Sequence, residues 1–209
     1  SVVNDALQPE IKGQEVALSV CGTDFFMRRC RLTSTQDTLF TAPLPPREVI
    51  PGGFLGPTQQ LPRIPQRQTY RRCVIKGDVD FIFGGAAAWF EDCDIVSVDA
   101  GYATAASTPE GQEYGYVFKH CRFLGDNLPQ ASCYLGRPWR DYAKTVLLDC
   151  TIGAHIRPEG WHDWDKPPFH ECGYYAEYPA PAHERAAFAH VLTAEEAAQF
   201  TYEDFMESL

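Results

Sequence analysis

The chain has 209 residues, of which 44% are hydrophobic and 22% are charged, and its formal net charge is −10 at pH 7. This composition supports an ordinary folded core and excludes an intrinsically disordered chain. The excess of acids disfavours nucleic acid as a partner, because Lys and Arg contacts to phosphates supply most of that affinity, and no stretch approaches the ~20 apolar residues of a membrane span.

The first predicted strand covers residues 16–20, where the sequence reads VALSV. No capping helix precedes it, although a repetitive fold needs a cap on its open end. The chain also begins without an initiator Met or a signal peptide. We therefore expect an N-terminally truncated form that begins part-way through its fold.

Five of the eight cysteines share one local pattern, which is a polar residue, Cys, any residue and an apolar residue. The five copies are 29–32, 72–75, 92–95, 120–123 and 149–152. Strand alternation places the Cys and the apolar residue on one face, and a repeat of about 20–30 residues indicates a solenoid. No CxxC pair occurs, which disfavours a zinc or redox site, so the cysteines are predicted to form a buried ladder.

These repeats predict an all-β fold of the parallel β-helix type. The longest interval between them contains a Pro- and Gly-rich stretch, residues 42–66, which we predict to be a long loop inserted between strands. A β-sandwich is the alternative, and the scarcity of two-residue hairpin turns disfavours it.

A carboxylate interrupts the most apolar predicted strand, residues 79–84, at Asp80. An isolated charge in a buried strand is too costly, so Asp80 must be paired, protonated or catalytic. Asp37 in a Gln-Asp-Thr stretch and Arg137 in a Leu-Gly-Arg-Pro-Trp stretch could meet it. The alternative is a purely structural ion pair between Asp80 and Arg137.

The C-terminal part has a different composition. Residues 161–182 are rich in aromatics and proline, so we predict that the solenoid rungs occupy 1–160 and that 161–209 packs on them within one domain, 1–209. Thr193 and Glu196 have the spacing of a capping box, which predicts a helix at 194–200. The six scattered histidines form no metal pattern.

Five motifs, taken together and in this order, resemble the pectin methylesterase (pectinesterase) family, bacterial type. They are GQEVAL at 13–18, QDTLF at 36–40, GDVDFIFG at 77–84, LGRPW at 135–139, and GW at 160–161 with Trp164. The resemblance implies a right-handed parallel β-helix. It also implies hydrolysis of methyl esters on the galacturonate units of pectin, with no metal or cofactor.

The resemblance also implies a role for each matching residue. Asp80 would be the nucleophile and Asp37 the general acid and then base. Arg137 would keep Asp80 ionised, and the amides of Gln14 and Gln36 would stabilise the oxyanion. Substrate contacts are expected from Trp139, Phe81 and Thr108, whereas Trp161 and Trp164 are expected to pack the C-terminal segment.

The expected partner is pectin, that is, methyl-esterified homogalacturonan, with no nucleic acid and no membrane. We expect a monomer located outside the cell or in the periplasm. Two other functions remain open at this stage. Paired carboxylates also suit a β-helix galacturonan hydrolase or lyase, and a truncated solenoid could bind pectin without turning it over.

Overall fold

The computed structural model describes residues 1–4, 13–54 and 56–208. Within these residues the chain forms mostly short strands, joined by tight turns, and a few helices of four to six residues. The strands are β1 Val2–Val3, β2 Leu18–Val20, β3 Phe25–Arg28, β4 Arg31–Thr33, β5 Leu39–Thr41, β6 Arg67–Arg71, β7 Val74–Gly84, β8 Ala87–Glu91, β9 Asp94–Ala106, β10 Tyr116–Lys119, β11 Arg122–Gly125, β12 Tyr134–Gly136, β13 Lys144–Leu148, β14 Thr151–Ile152, β15 Tyr174–Tyr178 and β16 Ala189–Val191. The helices are a 3₁₀-helix at Pro57–Gln60, α1 Phe169–Cys172, α2 Ala194–Ala197 and α3 Tyr202–Glu207.

The strands of the described residues pair in parallel, each with the strand one coil further along the chain. One sheet runs β1-β4-β7-β9-β11-β14 with β2, β5 and β12 at its side, and a second runs β16-β15-β13-β10-β8-β6-β3. Strands β7 and β9 are long and bend, with register shifts around Val79. The first sheet therefore forms two of the faces of the solenoid. The fold is a parallel β-helix, as predicted, and the β-sandwich alternative, which needs hairpins, is wrong.

The core of the β-helix is built from ladders of equivalent residues in successive coils. Leu32 pairs with Ile75, Ile75 with Ile95, and Ile95 with Phe123, and all four are at most 1% exposed. On the second sheet the rings of Tyr70, Phe90 and Phe118 stack at centroid distances of 4.8 and 4.5 Å. Each coil therefore buries its apolar face against the next coil.

The repeated cysteine pattern marks a corner of the coil rather than the middle of a strand. The polar residue before each Cys has a φ of 52 to 55°, and these residues are Arg29, Arg72, Asp92, His120 and Asp149. The prediction that each Cys lies within a strand is wrong, since each lies in the two-residue turn between two strands. The inward direction of the cysteines is confirmed.

The cysteines form the expected ladder of free thiols. The amide of Cys73 lies 3.4 Å from Sγ of Cys93, and the amide of Cys93 lies 3.4 Å from Sγ of Cys121. All three are buried, so they act as small hydrophobic residues at the coil corner.

The segment 42–66 connects β5 to β6 and folds back onto the solenoid. Phe54 is 7% exposed and forms a small apolar cluster with Phe40 and Leu44. Trp139, from a coil much later in the chain, packs against the same cluster. This inserted segment therefore lies against the bend that β7 and β9 make.

Parallel coils continue beyond residue 160, contrary to the predicted end of the rungs. Strand β15 pairs with β13 and β16 pairs with β15, both in parallel. The stretch 161–182 is rich in aromatics and proline, a composition that does not indicate the short strand β15. After it, the capping box of Thr193 and Glu196 is formed at α2, and the ring of Phe205 in α3 lies 5.5 Å from that of Trp89.

Candidate active site

A cleft of about 480 Å³ lies over the bend of the first sheet. Its floor is formed by residues that stack from coil to coil: Gln14 forms a parallel bridge with Gln36, and the Asp37 amide donates to the Val79 carbonyl at 3.0 Å. Further along, the Arg137 amide donates to the Thr104 carbonyl at 3.0 Å. The cleft is lined by Gln14, Gln36, Asp37, Asp80, Arg137 and Trp139, among others. The structure thus brings six of the eight predicted site residues together.

Asp80 and Arg137 form a bidentate ion pair at the floor of this cleft. Nε and Nη2 of Arg137 donate to the two carboxylate oxygens of Asp80 at 2.8 and 2.7 Å, and the side chains of Arg137 and Asp80 are 16% and 9% exposed. Burial raises the pKa of Asp80 above its ordinary value, and the two hydrogen bonds and the charge of Arg137 oppose that rise. The paired geometry favours the ionised carboxylate.

Two aromatic rings hold the guanidinium of Arg137 between them. Its central carbon lies 4.0 Å from the ring centroid of Tyr102 and 3.6 Å from that of Trp164. Stacking on both faces fixes the plane of the guanidinium, so its two donors point at Asp80. Trp164 was expected only to pack the C-terminal segment, and that expectation is wrong because it also lines the cleft.

Asp37 is the second acid of the cleft, and its environment is the opposite of that of Asp80. It is 4% exposed, and among the described residues no side chain donates a hydrogen bond to its carboxyl group. Burial, and next the charge of Asp80, raise the pKa of Asp37 from 3.8 to about 7. Below about pH 7, Asp37 therefore retains its proton, while the arginine beside Asp80 favours the charged form of that carboxylate.

Both acids have a left-handed backbone conformation. φ is 64° at Asp37 and 51° at Asp80, a region that non-glycine residues enter at a cost and that Asp tolerates better than most. Asp80 lies where the register between β7 and β9 shifts. The irregular backbone turns its carboxylate towards the cleft instead of into the apolar ladder.

Gln14 and Gln36 present side-chain amides to the same cleft. Gln14 is exposed and Gln36 is half-buried, and within the described ranges neither amide has a side-chain hydrogen-bond partner. Their N–H groups are therefore available to an oxygen atom of a ligand.

An aromatic wall borders the cleft beside the acids. The Trp139 ring lies 5.7 Å from Phe83 and 6.1 Å from Phe54, both in edge-on contact. Phe54 belongs to the inserted segment, which also contributes Val49 and Ile50 to the lining. A flat apolar wall of this kind suits a ring-shaped ligand.

Two residues predicted to contact substrate lie elsewhere. Phe81 is 0% exposed and, like Ile82 after it, belongs to the main core. Thr108 is 2% exposed, and its hydroxyl accepts a hydrogen bond from the Lys144 amide at 3.0 Å. Neither side chain reaches the cleft, so both predictions of substrate contact are wrong.

Tyr102, Arg140 and Lys166 also lie at the site and were not predicted from the sequence. Nζ of Lys166 donates to the carbonyls of Pro138 and Trp139 at 2.6 and 3.1 Å, and it lines the cleft together with Arg140. Arg140 directly follows the LGRPW motif, so its place in the sequence could have indicated that it lies at the site. Nothing in the sequence marks Tyr102 or Lys166, because their places depend on how the coils stack.

The arrangement provides a charged carboxylate, a protonated carboxyl group and amide donors around one space. These are the groups needed to attack a carbonyl carbon, protonate a leaving group and stabilise an oxyanion. Within the described residues, no group of three or more His, Cys, Asp or Glu is placed to hold a metal ion. In the same part of the chain, no helix has the length and apolar character needed to cross a membrane.

Comparison with known proteins gives consistent matches. A family model described as Pectinesterase matches residues 57–208. Pectinesterase 31 of Arabidopsis thaliana is 32% identical over 205 residues, covering 95% of this chain and 57% of that protein. The structure of pectin methylesterase from carrot matches with a TM-score of 0.73 at 25% identity, covering 100% of this chain and 74% of that one.

A crystal structure of a pectin methylesterase in complex with a hexasaccharide also matches, with a TM-score of 0.71 at 25% identity, covering 100% of this chain and 68% of that one. The chain spans 24% of the length of one curated relative, a probable pectinesterase/pectinesterase inhibitor of Arabidopsis thaliana, and 57% of the length of Pectinesterase 31. The sequence relative described above is a plant protein, and the bacterial type stays a prediction.

Proposed function

The chain belongs to the pectinesterase family, and from that premise we propose that it is a carboxylic ester hydrolase that removes methyl esters from the galacturonate units of pectin. The reaction consumes water and yields methanol and a free carboxylate. It needs only the side chains described above, with no metal or cofactor.

One observation carries this proposal. A carboxylate held by a bidentate arginine, Asp80, shares a cleft with Asp37, whose pKa is raised to about 7. Two acids with different protonation states in one site can act separately, one as the nucleophile and the other as the proton donor. A structural ion pair would not need the second acid.

The first half of the reaction forms a covalent acyl-enzyme. An oxygen of the Asp80 carboxylate attacks the ester carbonyl carbon, and the carbonyl oxygen becomes an oxyanion that accepts hydrogen bonds from Gln14 and Gln36. The tetrahedral centre then collapses, the bond to the methoxy oxygen breaks, and Asp37 protonates that oxygen as it leaves. Methanol departs, and Asp80 is joined to the galacturonate as an anhydride.

The second half regenerates the enzyme. Asp37, now a carboxylate, accepts a proton from a water molecule whose oxygen attacks the acyl carbon. The bond from that carbon to Asp80 breaks, so Asp80 leaves as a carboxylate and is again held by Arg137. Asp37 is protonated once more, which returns the site to its starting state.

The shape of the cleft supports a polymeric sugar as substrate. A pectin methylesterase with the same fold holds a hexasaccharide, and in this chain the cleft with Asp37 continues into a neighbouring space of about 280 Å³ that shares Asp37, Phe54 and Trp139. Because a polymer of this size does not enter the cytoplasm readily, we propose that the reaction takes place in the extracellular space or periplasm. We propose that the chain acts there as a monomer.

The test is to measure methanol and new reducing ends released from highly esterified pectin by the purified chain. Methanol without new reducing ends is the expected result. New reducing ends without methanol would identify a galacturonan hydrolase or lyase instead. Binding of pectin with neither product would identify a binding protein and contradict the proposed activity.

A further inference from the structure

Two cations line the side of the cleft that lies towards the later coils. Neither is assigned a step in the proposed reaction, although the charge of Lys166 also lowers the pKa of Asp80. Arg140 and Lys166 are half-buried there beside Trp139 and Trp164. The part of the cleft towards the earlier coils has a different lining, with Val16, Phe40, Leu44 and Pro57 and no cation. The cleft is therefore electrostatically asymmetric along the solenoid axis.

The two cations are fixed around one backbone oxygen. Nη1 of Arg140 donates to the Trp139 carbonyl at 2.7 Å, and Nζ of Lys166 donates to the same carbonyl at 3.1 Å. Nη2 of Arg140 donates to the carbonyl of Arg47 in the inserted segment at 3.1 Å. An ammonium has three N–H donors and a guanidinium has five, so donors remain on both groups for a ligand.

Neither cation has an ion-pair partner among the residues that the structure describes. Among the described residues, neither cation is within 4 Å of an acidic side chain, although the chain has ten more acids than bases. Burial, and next the charge of Arg140, lower the pKa of Lys166 to about 8, against smaller opposing effects of Asp141 and Asp80. A bound anion would offset the burial of these two charges and the repulsion between them. This is the arrangement expected of an anion site.

We propose that Arg140 and Lys166 form a subsite for a free galacturonate carboxylate next to the unit whose ester is cleaved. This inference rests on the proposed function for the identity of the polymer. The chain would then act preferentially where esterified and already de-esterified units adjoin, because the neutral side of the cleft takes an esterified unit and the cationic side takes an acid. The inserted segment contributes by holding Arg140 through the Arg47 carbonyl.

A carboxylate fits this pair better than a compact multivalent anion does. The planar guanidinium offers parallel N–H groups that match two carboxylate oxygens, and the ammonium adds a point charge beside them. The aromatic wall of Trp139 lies against the same backbone segment, so a sugar ring carrying the carboxylate can contact the indole while its charge meets the cations.

The test is calorimetric titration of the purified chain with fully de-esterified galacturonate hexamers at fixed ionic strength. Arg140→Gln and Lys166→Gln should each weaken binding about tenfold, the effect of losing one charge-assisted hydrogen bond. Arg140→Lys should restore part of the loss. Arg31→Gln, which removes an equal charge from an exposed position on β4, should bind like the unaltered chain.

Equal binding by all five proteins, or no binding by the unaltered chain, would overturn the subsite. Far-ultraviolet circular dichroism of each variant checks that its fold is intact. Because the titration needs no turnover, it is independent of methanol release. A chain that releases methanol but binds the hexamer equally in all variants would refute this inference alone, and a chain that binds the hexamer through both cations but releases no methanol would refute only the proposed activity.

Discussion

Replacing Asp37 with asparagine should make the protein more stable at alkaline pH, although it removes a catalytic group. The raised pKa of Asp37 means that the folded protein retains a proton that the unfolded chain releases. Stability therefore falls as pH rises from about 4 towards 7, and the penalty is constant above that. The asparagine side chain of the variant cannot ionise, has nearly the shape of the protonated acid and carries no such penalty.

The size of the effect follows from the pKa. Each tenfold change in proton affinity is worth about 1.4 kcal/mol, so the rise from 3.8 to about 7 corresponds to roughly 4 kcal/mol at most. The two proteins should have similar free energies of unfolding near pH 4. Their difference should then grow with pH and level off above pH 7.

The assay is reversible urea denaturation followed by tryptophan fluorescence between pH 4 and pH 8.5. Asp126→Asn is the matched control, because Asp126 is an exposed acid paired with Lys76, and it should change stability by less than about 1 kcal/mol across this range. A difference between the unaltered protein and Asp37→Asn that does not change with pH would refute the reasoning. So would a lower stability of the variant at pH 8.

Three further outcomes are expected from methanol-release kinetics on esterified pectin. Arg137→Ala should move the acidic limb of the pH profile upwards by about 1 to 3 pH units, because burial then raises the pKa of Asp80 with only the charge of Lys166 opposing it; an unmoved limb would contradict the role of Arg137. Gln36→Ala should lower kcat about a hundredfold to a thousandfold, whereas Gln60→Ala, on the exposed 3₁₀-helix, should not change it. Trp139→Ala should raise KM about tenfold with a smaller effect on kcat, and a loss confined to kcat would argue against substrate contact.

The sequence predicted the parts of the fold that repeat. The spacing of Leu32, Ile75, Ile95 and Phe123 within their local patterns was sufficient to predict a solenoid, because each coil must bury an apolar residue at the same place. The exact corner was not predictable. The polar residue before each Cys takes a left-handed conformation, and this residue is Arg, Asp or His in different coils. A repeated glycine would have indicated the corner in the sequence, but none occurs at this position.

The acids of the site were predictable for a physical reason, and the supporting residues were not. Asp80 interrupts an apolar strand, which is visible in the sequence as an energetic anomaly. Tyr102 and Lys166 lie next to Arg137 and Trp139 only because of the stacking offset between coils, and that offset depends on turn lengths. Phe81 packs in the core together with Ile82, so adjacency to Asp80 in the sequence does not bring a side chain to the cleft.

The most direct test of the central claim, that Asp80 is the nucleophile held ionised by Arg137 beside a protonated Asp37, is methanol release by Asp80→Asn. The variant keeps the shape of the side chain but has no carboxylate to attack the ester. It should lose at least about a thousandfold in kcat while its circular dichroism matches that of the unaltered chain, and Asp126→Asn should retain full turnover. Turnover by a folded Asp80→Asn within about tenfold of the unaltered protein would contradict the account.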